Sequence, residues 1–243
     1  MSMLVSKAIS FHHTTNSMIT LIGGEKGGTG KTTLCTNLAA MRARAGYDVL
    51  IIDADKQATS NTWAAIRGEE KISPRVVCVQ KHGKGLIDDV RDLGERFNDI
   101  LIDAGGQDSR ELRSAMVIAE KLFMPLQPSL ADAWTLERME ELVHQAQALN
   151  PDLDAFVVLN RASTHSRVPE TQDAADLIEE FEYLRFSGVV LRDRVAFKRA
   201  LGMGMSVVEF EAARLEVEPE MVQNGQSKAV SEIRYLYNAV YNG

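Results

Sequence analysis
The 243-residue sequence has two cysteines, six prolines and 6% aromatic residues, and no long run of apolar residues. Cys35 and Cys78 stand far apart, with no CxxC spacing and no histidine at ligand distance in sequence. That excludes a disulfide framework and a metal clasp, and both read as small core residues of a reducing compartment. Nothing approaches the ~20 apolar residues a bilayer span needs. The first 17 residues carry one lysine and no apolar centre, so they do not read as a secretory signal. Repeats and low-complexity tracts are absent. A basic excess is absent too: 27 Lys and Arg face 34 Asp and Glu, for a net charge of −7. Taken alone, that balance disfavours a DNA-coating protein.

What is present is an ordinary globular composition, 45% hydrophobic and 25% charged, with length enough for one large core. Residues 1–17 read as an extension ahead of the first strand, and residues 18–243 as a single domain. The chain is organised around Gly24-Glu-Lys-Gly-Gly-Thr-Gly-Lys-Thr-Thr33, set between the apolar Ile19–Ile22 and a segment of helical spacing from Leu34 to Ala45. Strand, glycine-rich turn and helix is the context of a phosphate-binding loop. Gly27, Gly28, Thr29, Gly30, Lys31, Thr32 and Thr33 would turn their amides inward at a helix N-terminus. Lys31 would reach the β- and γ-phosphates, and the Thr32 hydroxyl would hold Mg²⁺. The strict G-x-x-x-x-G-K-[ST] pattern fails at its first position, where Glu25 stands. A second lysine, Lys26, precedes Lys31 by five residues.

Two further apolar runs end in acids. Tyr47–Asp53 reads as a buried parallel strand followed by Ala54-Asp55-Lys56-Gln57, and Ile100–Asp103 as another. Ligands of open α/β sheets bind at the carboxyl ends of strands, which places Asp53, Asp55 and Asp103 for Mg²⁺ and water chemistry. Asp53 or Asp55 could instead cap a helix or a turn, and an aspartate such as Asp103 ends many strands without a ligand. Ala104-Gly105-Gly106-Gln107 is a candidate loop for sensing a γ-phosphate. Helices are expected over about 86–97, 112–120, 132–149, 169–183 and 227–241, and from 193, where Asp193 would cap, to about 201. In the 132–149 helix Thr135, Met139, Leu142, Val143, Ala146 and Leu149 are expected inside.

The two-lysine loop resembles the deviant Walker A motif of the ParA/MinD family of ATPases, and the D-x-D-x-Q run resembles that family's Walker A′ segment. The likeness spans residues 18–240 and is closest to small plasmid-partition ParA proteins without an N-terminal helix-turn-helix domain. It implies a doubly wound, mostly parallel α/β sheet with helices on both faces, and MgATP as the ligand. Lys26 would cross to the nucleotide of a partner subunit in an ATP-sandwich homodimer, although an exposed lysine at the loop mouth needs no such role. By the same resemblance Asp55 positions the attacking water, Thr32, Asp53 and Asp103 form the metal shell, and Asn160 reads the adenine edge or serves as a turn residue.

The stretch from Arg185 to Arg199 carries five basic residues against Asp193. Such clusters are often solvated faces, but the resemblance makes Arg192, Arg194, Lys198 and Arg199 candidates for nonspecific DNA binding. Arg194 and Lys198, four apart, would share a helix face. The implied activity is slow ATP hydrolysis stimulated by a ParB-like centromere-binding adaptor, in a cytoplasmic, nucleoid-associated protein that segregates plasmid or other DNA cargo. The alternatives are a MinD-like membrane-associated positioning ATPase and a ParA-like ATPase serving a non-plasmid cargo or conjugative transfer. The final segment places Val230, Ile233, Leu236, Tyr237 and Val240 on one side but has only Lys228 and Arg234 as basic residues, so it is expected to dock on the core and not on lipid.

Overall fold
The computed structural model describes residues 17–83, 85–106, 109–128, 133–165 and 170–242. Residues 1–16 of the expected extension, Gln107, and the expected helix starts at 132 and 169 lie outside the described residues. Ser17, assigned to the extension, is buried and donates to the carbonyl of Phe97 at 2.6 Å, so it belongs to the fold.

Seven strands form one sheet in the order β3-β2-β4-β1-β5-β6-β7, and every pairing is parallel. They are β1 (Met18–Ile22), β2 (Val49–Asp53), β3 (Val77–Gln80), β4 (Asp99–Asp103), β5 (Lys121–Leu126), β6 (Asp154–Ala162) and β7 (Arg185–Arg192). Every residue of β2 and β4 is buried, as continuous apolar runs demand when helices cover both faces. The pleat then sorts them. Leu50, Ile52, Ile100 and Ile102 pack under α3 (Leu86–Gly94), α4 (Arg110–Met116), α5 (Ala133–Gln147) and α6 (Glu170–Ile178). Ile51 and Leu101 face the other way, toward α1 (Lys31–Arg44), α2 (Thr59–Glu69), α7 (Val195–Gly202), α8 (Val207–Leu215) and α9 (Lys228–Tyr241). The expected doubly wound architecture is therefore the observed one. The register aligns Ile22, Asp53 and Asp103 at one edge, so the phosphate loop and two acids leave the sheet side by side.

Several local expectations change. Leu149 lies beyond α5 and is 58% exposed, while Leu136 takes the inward place and Thr135 is half-buried. Asp193 does not cap α7: Arg194 is the residue before the helix, and the Asp193 carboxylate pairs with Lys198 at 3.0 Å. The helices α2 and α8 were not expected. The inward residues of α2 include Ser60, Trp63 and Arg67, and those of α8 include Glu209 and Glu211, so polar groups occupy positions that a hydrophobic pattern leaves blank. The start of α8 is nonetheless written in Ser206-Val-Val-Glu209, a capping box in which both reciprocal bonds are made.

Those two helices are joined by a buried ion pair. The guanidinium of Arg67, 1% exposed, donates to both carboxylate oxygens of Glu209 at 2.7 and 2.9 Å and to the carbonyls of Pro74 and Gly204. Gly204 must be glycine, because its φ is +67° and a Cβ there would sit 2.6 Å from the amide nitrogen of Arg67. Removing one partner of such a pair leaves an uncompensated buried charge. Glu209→Gln is therefore expected to lower unfolding free energy by about 3–5 kcal/mol in urea titrations, while the apolar double replacement Arg67→Met/Glu209→Leu recovers only part of that loss, because the Ser206 cap and the Pro74 and Gly204 carbonyls lose their partners.

Candidate functional site
The loop between β1 and α1 is shaped by positive φ at Gly28 (+74°) and Gly30 (+100°), the latter being the residue before α1. A Cβ at Gly27 or Gly28 would meet nothing within 4 Å, so this stretch of backbone faces open space. That space is a cavity of about 690 Å³ walled by the loop, the segment after β2, Gly105, Gly106, and the ends of β6 and β7. Lys31 is buried and bends back, its Nζ donating to the carbonyl of Lys26 at 2.7 Å. Burial pulls its pKa down, against the raising influence of Asp103 and Asp55. Lys26 itself is exposed at the mouth. One lysine of the motif thus points in and the other stands outside.

Asp103 is buried at the end of β4. Its Oδ2 accepts from the hydroxyls of Thr32 (2.8 Å) and Ser60 (2.7 Å), which tie β4 to α1 and α2. Its Oδ1 is buried without a hydrogen-bonding partner. Burial pushes the carboxyl up to about 7, although the two hydroxyls work in the opposite direction. An orphaned carboxylate oxygen beside a threonine hydroxyl at a phosphate loop is the donor set a hard, oxygen-seeking cation requires. The residues present fit Mg²⁺ held by Thr32 and Asp103.

Asp53 is arranged differently. Its two oxygens accept the amides of Asp55 (3.1 Å) and Asn61 (2.8 Å), and burial raises its pKa against those two bonds. It organises the turn into α2, the capping alternative that the sequence left open. Asp55 is half-buried, lines the cavity and accepts the Gln57 amide at 3.0 Å. Gly105 approaches it so closely that a Cβ there would lie 3.3 Å from either carboxylate oxygen. A Cβ at Gly106 would come within 2.9 Å of the Gly27 amide nitrogen, so the loop after β4 rests directly on the phosphate loop.

Asn160, at the carboxyl end of β6, lines the same cavity and donates to the Thr29 carbonyl at 2.6 Å. Its neighbour Arg161 adopts φ +55°, donates to the Gly28 carbonyl at 2.7 Å and lies 3.8 Å from Asp193. Sequence reasoning gave Arg161 no role and missed Ser60 altogether. A basic residue directly after the strand-end asparagine was a visible signal for the first; a serine in a polar stretch offered none for the second.

The basic segment is not an open positive face. Arg194 makes a bidentate pair with Glu232 of α9, its Nη2 at 2.5 Å, and the same carboxylate accepts the amide of Arg192. The Arg192 side chain donates to the Ser163 carbonyl. Arg192, Arg194 and Lys198 all line the cavity, while Arg199 points to solvent. The expectation of one shared helix face for Arg194 and Lys198 gives way to a shared cavity wall, because Arg194 precedes the helix.

Comparison with known proteins agrees with this geometry. Residues 20–207 match the family described as the CobQ/CobB/MinD/ParA nucleotide binding domain. A maintenance of carboxysome distribution protein A from Gloeobacter kilaueensis is 30% identical over 186 residues, 76% of this chain and 81% of that protein. Its counterpart from Halothiobacillus neapolitanus is 26% identical over 210 residues, 86% of this chain and 95% of that protein. The septum site-determining protein MinD of Pyrococcus horikoshii, solved with Mg-ADP, shares the fold with a TM-score of 0.66 at 17% identity, covering 93% of this chain and 96% of that one. With a match over residues 20–207, well over half of its length, the chain belongs to the CobQ/CobB/MinD/ParA nucleotide-binding family.

Proposed function
We propose that this protein is a ParA-type positioning ATPase. It binds MgATP, closes with a second copy into a nucleotide-sandwich dimer, engages DNA nonspecifically in that state, and hydrolyses ATP slowly until an adaptor on its cargo accelerates the reaction. The observation that carries this reading is the division of labour within one loop: Lys31 is buried at the phosphate position, while Lys26 is exposed at the mouth. Thr32 and Asp103 would hold Mg²⁺, which supplies charge neutralisation at the phosphates when bound. Asp55, beside the open loop backbone, is placed to orient a water. Asn160 offers a side-chain amide at the cavity wall, with donor and acceptor together as an adenine edge requires.

A membrane-bound mode finds no support in α9. Val230, Ile233, Leu236 and Val240 are all buried in the core, and Lys121 donates to the Val240 carbonyl at 2.8 Å. Among the described residues no helix is long and apolar enough to cross a membrane. The nature of the cargo is a separate matter. Two relatives named for carboxysome distribution favour a protein body over a plasmid, with the same ATPase cycle serving either.

Two outcomes test the reading. Nonspecific duplex is expected to bind with ATP and not with ADP or without nucleotide. Lys26→Ala is expected to abolish that binding and to lower stimulated kcat by about 10²-fold, as loss of one charge-stabilising group does. Equal or absent binding in all three states would overturn the DNA clause. The second outcome concerns Asp103. Because its folded pKa lies above the ~3.9 of an unfolded aspartate, the native state without ligand holds the proton longer. Stability is then full below about pH 4 and declines as pH rises toward about 7. Asp103→Asn is expected to raise the melting temperature without nucleotide, more at pH 8 than at pH 5, while removing the response of nucleotide affinity to Mg²⁺. Scanning calorimetry at both pH values checks the first part and a fluorescent-nucleotide titration the second.

A further inference from the structure
Among the described residues, the most exposed large hydrophobic side chain is Trp134, at 81%. It stands in the first turn of α5, at the carboxyl edge of the sheet where the phosphate loop also emerges. Arg138 lies four residues on and shares its side of the helix. That arginine bonds Glu25 of the loop at 2.9 Å, next to Lys26. Tryptophan is among the residues enriched where protein surfaces meet and where truncation costs most binding, so an indole this exposed offers an anchor.

The geometry points to Trp134 as an anchor of the surface on which a second copy of this chain docks when nucleotide is bound; this rests on the sandwich reading above. Two observations select that occupant. The patch is continuous with the loop corner carrying Lys26, so a copy reaching the nucleotide must pass over it. Its charges are mixed, with Glu25 and Glu137 beside Lys26 and Arg138. Glu25 already answers Arg138 within the chain, and the four charges sum to zero, so a two-fold-related copy carrying the same surface meets no net repulsion there. A nucleic acid would be repelled by the acids.

The protein carries its own probe. The second tryptophan, Trp63, is 1% exposed and donates to the Met205 carbonyl, so it contributes a constant background. With a non-hydrolysable ATP analogue, sedimentation velocity is expected to show a dimer, and acrylamide quenching of Trp134 emission is expected to fall as that dimer forms. Trp134→Ala is expected to weaken dimerisation roughly 30-fold. Its melting temperature and the nucleotide affinity of the monomer stay unchanged, because the side chain supports neither. A dimer in which Trp134 remains fully quenchable, or a Trp134→Ala chain that dimerises like wild type, overturns the inference and leaves the sandwich reading standing. Protection of Trp134 in a chain that stays monomeric overturns it in favour of cover by the chain's own segments. Absence of any dimer, with Trp134 still quenchable, removes the sandwich reading and the inference together.

Discussion
The buried carboxylate of Asp103 constrains everything around it. A carboxylate enclosed at the end of a central strand is costly unless its oxygens are satisfied. Here one oxygen takes two hydroxyl donors, one each from α1 and α2, and the other takes none. Across the site Lys31 is buried with its ammonium turned onto a loop carbonyl, and its pKa is depressed by that burial. Acid and base are thus both displaced from their ordinary ionisation in directions that a metal–phosphate ligand reverses. On the proposed reading a divalent cation would complete the acid, and the phosphates would complete the lysine. Strain of this kind at a site is stability forgone for function.

The loop is also a meeting point. Gly106 touches its backbone at Gly27, Arg161 holds the carbonyl of Gly28, and Asn160 holds that of Thr29. Two strand ends, those of β4 and β6, therefore converge on three successive residues, and none of these contacts has slack. A Cβ at Gly30 would fall 2.3 Å from the Asn160 amide nitrogen. On the proposed reading, phosphates claiming the loop amides would shift the ends of β4 and β6. From β6 the ion pairs of Arg161 with Asp193 and of Asp193 with Lys198 would carry that shift into the basic segment. Closely packed contacts of this sort switch between arrangements instead of deforming smoothly.

Much of this was legible in the sequence because the site is built from local order. The glycine loop, its two lysines and the acids closing β2 and β4 are contiguous with the strands that present them, so strand ends and motif residues could be read together. What escaped reading was long-range pairing. The inner faces of α2 and α8 are held by Arg67 and Glu209, 142 residues apart, and polar inner faces carry no hydrophobic period. Arg194 counted as a free positive charge because its partner Glu232 lies 38 residues downstream. Asp53, expected in the metal shell, has its oxygens engaged by two amides of the following turn, the turn role that its sequence position also allowed.

That neutralisation bears on how DNA would be engaged. In the described arrangement Arg194 is held by Glu232 and Lys198 by Asp193, and the whole chain is acidic. A surface that attracts phosphates must offer cations whose charge is not already answered, since affinity rises with each phosphate neutralised and counterion released. Of the four candidate residues, Lys198 and Arg199 are both exposed, and Lys198 is the one of those two answered by a carboxylate, that of Asp193. On the proposed reading the positive surface is therefore made, not presented. Dimerisation sets two copies of Arg199 on one assembly, and movement relayed through Arg161 to Asp193 frees Lys198 to join them. Nucleotide occupancy and DNA affinity then share a single physical cause, the placement of the loop carbonyls that Arg161 and Asn160 hold.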